Sequence, residues 1–347
     1  MTSARNRPAR ATREAARFRP LSCVVFHVAE ASIRFPIIVG PTAGGKSALS
    51  IDVARRLHAL TGRSAEVVTA DSIQVYRGLD IGSAKPTRVE MAGIPHHLVD
   101  ILDPTERFSV HAWLSMAEAV IDQVKGRNSI PVVVGGSHLY IKALLDGLFE
   151  GPAPDPKARE QLNARDLADL RDELERVDPA AAGRINAMDR RRTVRALEVH
   201  HATGRPISEL QRQWDQDRPR RADAVLIGIE WPVPEINRRI NARVRTMFER
   251  GLVEEARALW LGGLLGIQAR EALGYKQLID AFEGRGTLDE AHERIKIETR
   301  RFAKNQRTWL RRLKPTPGSV WIDAGVTPPE EWTLLVVRAC LGGDVGG

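Results

Sequence analysis

The sequence predicts an α/β fold, a parallel sheet flanked by helices with an all-helical insertion, on three observations. The apolar stretch Phe35-Pro36-Ile37-Ile38-Val39 runs directly into Gly40-Pro41-Thr42-Ala43-Gly44-Gly45-Lys46-Ser47. Strand and helix patterns then alternate. Between residues 157 and 215 the pattern becomes helical only.

Residues 40–47 fit G-x-x-x-x-G-K-[ST] in full, with the strand before and the helix after that this pattern needs. Glycines at 40, 44 and 45 let several N–H groups converge on one oxyanion, and the following helix points its positive end at the same spot. The loop is expected to hold a di- or triphosphate, with Lys46 on the terminal oxygens and the Ser47 hydroxyl on a bridging Mg2+. Leu49, Val53, Leu57 and Leu60 then repeat at helical spacing over a helix at about 46–60. A strand follows at 66–70, a helix around 110–125 with Trp113, Ala117, Val120 and Val124 on one face, and a strand at 131–134. This is the pattern of a P-loop NTPase-like core.

Pro152, Pro154 and Pro156 punctuate the chain, and Leu167, Leu170, Leu174 and Val177 form the apolar stripe of a helical insertion. Residues 224–229 read as a strand returning to the sheet, after which the chain is helical to about 313. The expected plan is a basic arm at 1–35, a first core part at 36–150, the insertion at 151–222, a second core part at 223–330 that includes a basic helix, and a tail at 331–347.

The net charge of +8 on 347 residues is unevenly spread. Residues 1–35 hold seven arginines against Glu14 and Glu30, and residues 294–314 hold nine Arg and Lys against Glu298 alone, so the rest of the chain is net acidic. The second segment is the footprint expected for a nucleic-acid backbone. Cys23 and Cys340 form no disulfide framework or metal cluster, and no apolar run reaches membrane-spanning length. A cytoplasmic protein that does not enter a membrane, and a monomer, are expected.

Asp71 ends the strand Val67-Val68-Thr69-Ala70 and should face the phosphate loop, either as a magnesium-side carboxylate or as a general base. The turn Gly135-Gly136-Ser137-His138 brings a second set of free N–H donors and a hydroxyl to the same sheet edge. His96-His97 and His200-His201 cannot each chelate one ion, because adjacent side chains diverge on a strand or helix. Arg191, Arg192 and Arg195 lie within about one helical turn and offer a cationic face for phosphates. Leu288, Ile295, Phe302 and Trp309 recur every seven residues and predict the buried stripe of the basic helix, leaving its arginines and lysines available.

Together these segments resemble the tRNA dimethylallyltransferase family, of the bacterial type without a zinc finger, from about residue 36 to 315. The resemblance rests on the phosphate loop, Asp71-Ser72-Ile73-Gln74-Val75-Tyr76-Arg77, Asp80 to Pro86, Gly93 to Leu98 with Asp100, the turn at 135–140, Arg192 with Arg195 to Glu198, Gly274 to Gln277, and Ala303-Lys304 with Gln306 and Thr308 to Arg311. Ser137 stands where that family commonly has Thr, His138 where it has Gly, Arg191 where Gln is frequent and Asn305 where Arg is. His138 disfavours a positive φ in that turn.

The resemblance implies transfer of a dimethylallyl group from dimethylallyl diphosphate to the exocyclic amine of the adenosine 3′ of the anticodon, with release of diphosphate. It implies Asp71 as the base and Ser137 as a second catalytic residue. The loop residues Gly40 to Ser47 hold the diphosphate, with Mg2+ at Ser47. Asp71, Ser72, Ile73, Gln74, Ser137, Arg191, Arg192, Arg195, Lys276, Lys304 and Arg307 are the residues it implies for the tRNA anticodon stem-loop. A small-molecule phosphate-loop kinase would leave Gln74, the basic helix and the insertion unexplained. An adenylate isopentenyltransferase would have less use for a basic platform.

Overall fold

The computed structural model describes residues 33–148, 151–152, 155–212 and 221–342, so all but the last three residues of the expected arm lie outside the described residues. One six-stranded parallel sheet is built from β1 (Phe35–Val39), β2 (Ala65–Ala70), β3 (His96–His97), β4 (Ile130–Gly135), β5 (Ala224–Glu230) and β6 (Val320–Asp323). Their spatial order is β3-β2-β4-β1-β5-β6. Ile37 of β1 is in register with Val133 of β4 and Leu226 of β5. Strands β1, β2 and β4 are buried throughout, which is why they read as largely unbroken apolar runs.

The first core part carries α1 (Lys46–Thr61), α2 (Arg88–Met91), α3 (Val110–Gly126) and α4 (His138–Asp146). The insertion carries α5 (Pro156–Ala164), α6 (Leu167–Val177), α7 (Pro179–Arg184), α8 (Arg190–Thr203) and α9 (Ile207–Gln211). After β5 come α10 (Val233–Glu249), α11 (Leu252–Leu261), α12 (Ile267–Arg270), α13 (Tyr275–Phe282), α14 (Leu288–Leu313) and α15 (Pro329–Cys340). Local chemistry sets these starts: Asp155 and Asp178 cap α5 and α7 with a proline next in line, Asp189 caps α8, and Thr287 with Glu290 closes a reciprocal box on α14.

The insertion has its own core of Leu162, Leu170, Leu174, Leu197 and Leu210, separate from the sheet's core. Asp178 lies buried within it, accepting from Ala181 N and the Ser208 hydroxyl.

Three expectations are corrected. Residues 331–340 are no tail: α15 buries Trp332, Val336, Val337, Ala339 and Cys340 and packs against α1. Before it, β6 adds an edge strand beside β5, its Trp321 filling the space that Gly228 leaves open. The stripe of α14 is not the seven-residue one. Ala291, Ile295, Thr299, Ala303, Gln306 and Leu310 are buried, while Leu288 and Phe302 are 39% and 44% exposed. A strict seven-residue repeat drifts by about 20° per step around a straight helix, so its members cannot all stay on one face. His138 raises no difficulty, because it takes ordinary helical backbone as the first residue of α4.

Candidate active site

The loop from β1 into α1 alternates backbone handedness, with Ala43 at φ 60° and Gly45 at φ 87°. This is the local geometry that gathers N–H groups into an anion-binding hollow. Its carbonyls are pinned: Arg239 Nε donates to Ala43 O at 2.9 Å, Trp231 Nε1 to Gly44 O at 3.1 Å, and Lys46 Nζ to Pro41 O at 2.9 Å. The first α1 bond runs from Leu49 N to Gly45 O, so the amides of Lys46, Ser47 and Ala48 have no helical acceptor and are left for an anion. Gly40 abuts Ile229, and Gly44 and Pro41 close the loop with a bond between them at 3.1 Å. Thr42 N donates to Gln306 Oε1 at 2.8 Å, so α14 reaches into the loop.

Thr42, Lys46 and Ser47 line one pocket together with Asp71, Gln74 and Arg243. Lost hydration brings the Lys46 ammonium down to about 8, Arg243 pushes the same way, and Asp71 opposes both. Burial also lowers the Arg243 guanidinium, with Asp71 again opposing. Two desolvated cations facing one carboxylate form a site that lacks negative charge, and a diphosphate supplies it.

Asp71 sits at the end of β2 with Oδ1 fixed by Ile73 N at 2.9 Å and Gln74 N at 3.3 Å. That turn leaves Oδ2 for a substrate. Gln74 Nε2 donates to Ser83 O at 3.2 Å and Ala84 O at 3.3 Å, which sets its amide so that Oε1 is the free acceptor. The 80–84 loop is held in turn by Glu255, which accepts from Ile81 N at 2.8 Å, Gly82 N at 3.1 Å and the Tyr275 hydroxyl at 2.6 Å. The sequence segments at 80–86 and 274–277 therefore meet.

Ser137 Oγ accepts from Ser72 N at 3.3 Å, which places Ser137 and Ser72 beside Asp71 but outside the pocket lining. The preceding turn needs glycine, because a Cβ on Gly135 would stand 2.0 Å from Ala70 O. His96 lines the pocket and bonds to Ile94 O, while His97 turns to Glu66.

The expected phosphate-binding side chains differ in freedom. Arg191 and Arg192 are exposed, the latter 3.3 Å from Asp189. Arg195 turns back to Glu198 at 2.8 Å, a buried carboxylate that Arg159 also meets at 2.7 Å. Lys276 pairs with Glu271 at 2.5 Å. Lys304 is exposed, and Arg307 is half-buried with its guanidinium lowered by burial and by Arg311. Trp309 stacks on His138 with centroids 4.4 Å apart at 12°, and Arg312 lies over the same indole at 4.6 Å. Burial, then Arg192 and Arg312, bring His138 down to about 4, so basic groups of α8 and α14 converge beside α4.

Three pocket-lining side chains, and one that holds the phosphate loop from outside the pocket, Arg239, escaped the sequence reading as site residues. Arg243 and Arg239 come from α10, Gln306 and Phe302 from α14. Gln306 stood within a recognised segment; nothing in the local pattern marked the two α10 arginines.

Comparison with known proteins identifies the family. Residues 74–313 match the family model described as IPP transferase, and residues 33–101 one described as isopentenyl transferase. The chain is 45% identical over 296 residues to a tRNA dimethylallyltransferase of Geobacillus kaustophilus, covering 83% of this chain and 91% of that one. It is 44% identical over 312 residues to one of Anaeromyxobacter dehalogenans, covering 88% and 99%. The structure is similar to the full-length tRNA isopentenylpyrophosphate transferase of Bacillus halodurans, at TM-score 0.65 and 36% identity over 89% of this chain and 97% of that one. A eukaryotic dimethylallyltransferase acting on tRNA matches at TM-score 0.72 and 27% identity over 86% and 75%. By sequence and by fold, this chain belongs to the IPP transferase family, among the tRNA dimethylallyltransferases.

Proposed function

We propose that this protein transfers a dimethylallyl group from dimethylallyl diphosphate to the exocyclic amine of the adenosine 3′ of the anticodon in tRNA. The observation that carries the reading is the strand order. Strand β4, with Gly135 and Gly136 at its end, lies between β2, which carries Asp71, and β1, which carries the phosphate loop. Neighbouring strands are about 4.8 Å apart, so base and diphosphate site stand roughly 10 Å from each other across a floor of glycine. An allylic carbon fits between them.

The adenine amine is a poor nucleophile, because its lone pair is delocalised into the ring. As its nitrogen bonds to the allylic carbon, the carbon–oxygen bond to diphosphate breaks and the bonding pair leaves on oxygen. Asp71 Oδ2 takes the amine proton. Charge gathers on the departing diphosphate, where Lys46, Arg243 and the amides of Lys46 and Ser47 stabilise it. Gln74, whose Nε2 is taken by Ser83 O and Ala84 O, would accept the second amine hydrogen on Oε1, which favours an amine over a carbonyl at that position of the base. Ser47 is exposed at the head of α1 and lines the pocket, and its hydroxyl would hold Mg2+, a cation that prefers oxygen donors. The metal, when bound, neutralises charge on the diphosphate.

The base must leave its stack to reach Asp71, so the anticodon loop is presented with that adenine flipped out. Arg191, Arg192, Lys304 and Arg307 would hold its backbone. The test is incubation with dimethylallyl diphosphate, Mg2+ and an unmodified anticodon stem-loop in the absence of any nucleotide. Nucleoside analysis should show one prenylated adenosine per diphosphate released. Turnover that requires ATP hydrolysis would overturn the reading.

A further inference from the structure

Phe302 was expected in the core of α14, yet its ring is 44% exposed and lines the same pocket as Lys46, Asp71 and Gly136. We infer that Phe302 is the wall against which the donor's hydrocarbon packs, and that it sets the length of prenyl chain accepted. This rests on the transferase reading above.

The placement follows from α14. Gln306 Nε2 donates to Gly136 O at 2.9 Å, and its Oε1 takes Thr42 N, so this side chain marks where the helix crosses the end of β4 beside the diphosphate site. Phe302 is one turn earlier on the same face, about 6 Å along the helix axis. That is about the reach of one isoprene unit beyond a diphosphate. The other lining groups near β2 are polar: Asp71, Gln74, Thr69 and Ser83 suit a base edge, not a hydrocarbon. Carbon surface in the pocket comes from Phe302, Val134, Ala84 and Pro86, of which Phe302 alone is large. A half-exposed phenyl ring gains from being covered by an apolar group, and the donor brings one. Phe302 is a specificity-determining residue that touches substrate, with no part in proton transfer.

The experiment compares dimethylallyl and geranyl diphosphate as donors to the same anticodon stem-loop, using the full chain as wild type, Phe302→Ala and Phe302→Trp. Because the ring is half-exposed, neither change empties the core. Wild type should use the five-carbon donor and discriminate against the ten-carbon one. Phe302→Ala should raise kcat/KM for geranyl relative to dimethylallyl diphosphate by roughly 10–100-fold, the range that hydrocarbon discrimination spans, with KM for the RNA unchanged. Phe302→Trp should depress use of the five-carbon donor. An unchanged donor ratio in Phe302→Ala overturns the inference. So does a raised KM for RNA at constant donor ratio, which would make Phe302 a stacking platform for the base. A wild type that fails to use dimethylallyl diphosphate at all would instead reject the transferase reading.

Discussion

Gln306 Oε1 accepts the Thr42 amide at 2.8 Å, so the helix that carries the basic residues also completes the phosphate loop. The side chain is 4% exposed and spends its other end on Gly136 O, bridging the ends of β1 and β4. The proposed donor site and the proposed RNA platform are thus joined through one amide.

Gln306→Ala removes both bonds and leaves two part-buried backbone groups without that partner, which costs at most about 1–3 kcal/mol. Denaturant melts should show that loss. Steady-state assays should show a raised KM for the donor with KM for RNA little changed, and an unaltered donor KM would reject a role in organising the loop.

Lys46 sits near 8 when the site holds no diphosphate, while a bound polyanion favours its charged form. Below pH 8 the ammonium is already present and donor affinity should be flat on its account. Above pH 8 binding must take up a proton, so Kd should rise by up to about tenfold per pH unit. Lys46→Arg stays charged throughout and should lack that rise. Calorimetry with dimethylallyl diphosphate from pH 7 to pH 9.5 checks it, and parallel curves for the two proteins would contradict the assignment.

The cations of α14 and the tied Arg195 should separate in salt titrations. Lys304→Ala with Arg307→Ala should make the slope of log affinity for the stem-loop against log salt shallower by roughly one to two units. Arg195→Ala should leave that slope alone and lower stability instead, because it takes one of two cations from buried Glu198. Filter binding at four salt concentrations decides the first point and thermal melts the second.

Trp332 lies 3.5 Å from where a Gly45 side chain would begin, and it meets Trp231 edge-on at 5.9 Å. Trp332→Ala should therefore weaken donor binding as well as stability, with Trp332→Phe restoring most of both. Loss of stability with unchanged donor KM would confine α15 to packing.

Much of this site was legible in the sequence, because its chemistry is local. The loop at 40–47 and Asp71 at a strand end carry their own signals, and β1, β2, β4 and β5 lie within a residue or two of the expected strands. Phe302 and Leu288 were misplaced by a seven-residue repeat that a straight helix does not keep. Arg243 and Arg239 could not be found in this way: on α10 they read as ordinary surface charge, and only packing of that helix brings them to the loop. Helix α15 does carry a sequence signal. Pro329 stands at its first position, and Trp332, Val336 and Ala339 follow at helical spacing.

Asp71 is the base in the proposed transfer, and Asp71→Asn tests that role cleanly. Asn can still accept from Ile73 N and Gln74 N through its carbonyl oxygen, so the turn at the end of β2 should survive while the proton acceptor is lost. Single-turnover transfer from dimethylallyl diphosphate to a bound stem-loop should slow by roughly 10²–10⁴-fold, with Kd for the RNA within a few-fold of wild type. A mutant that transfers at the wild-type rate would contradict the account.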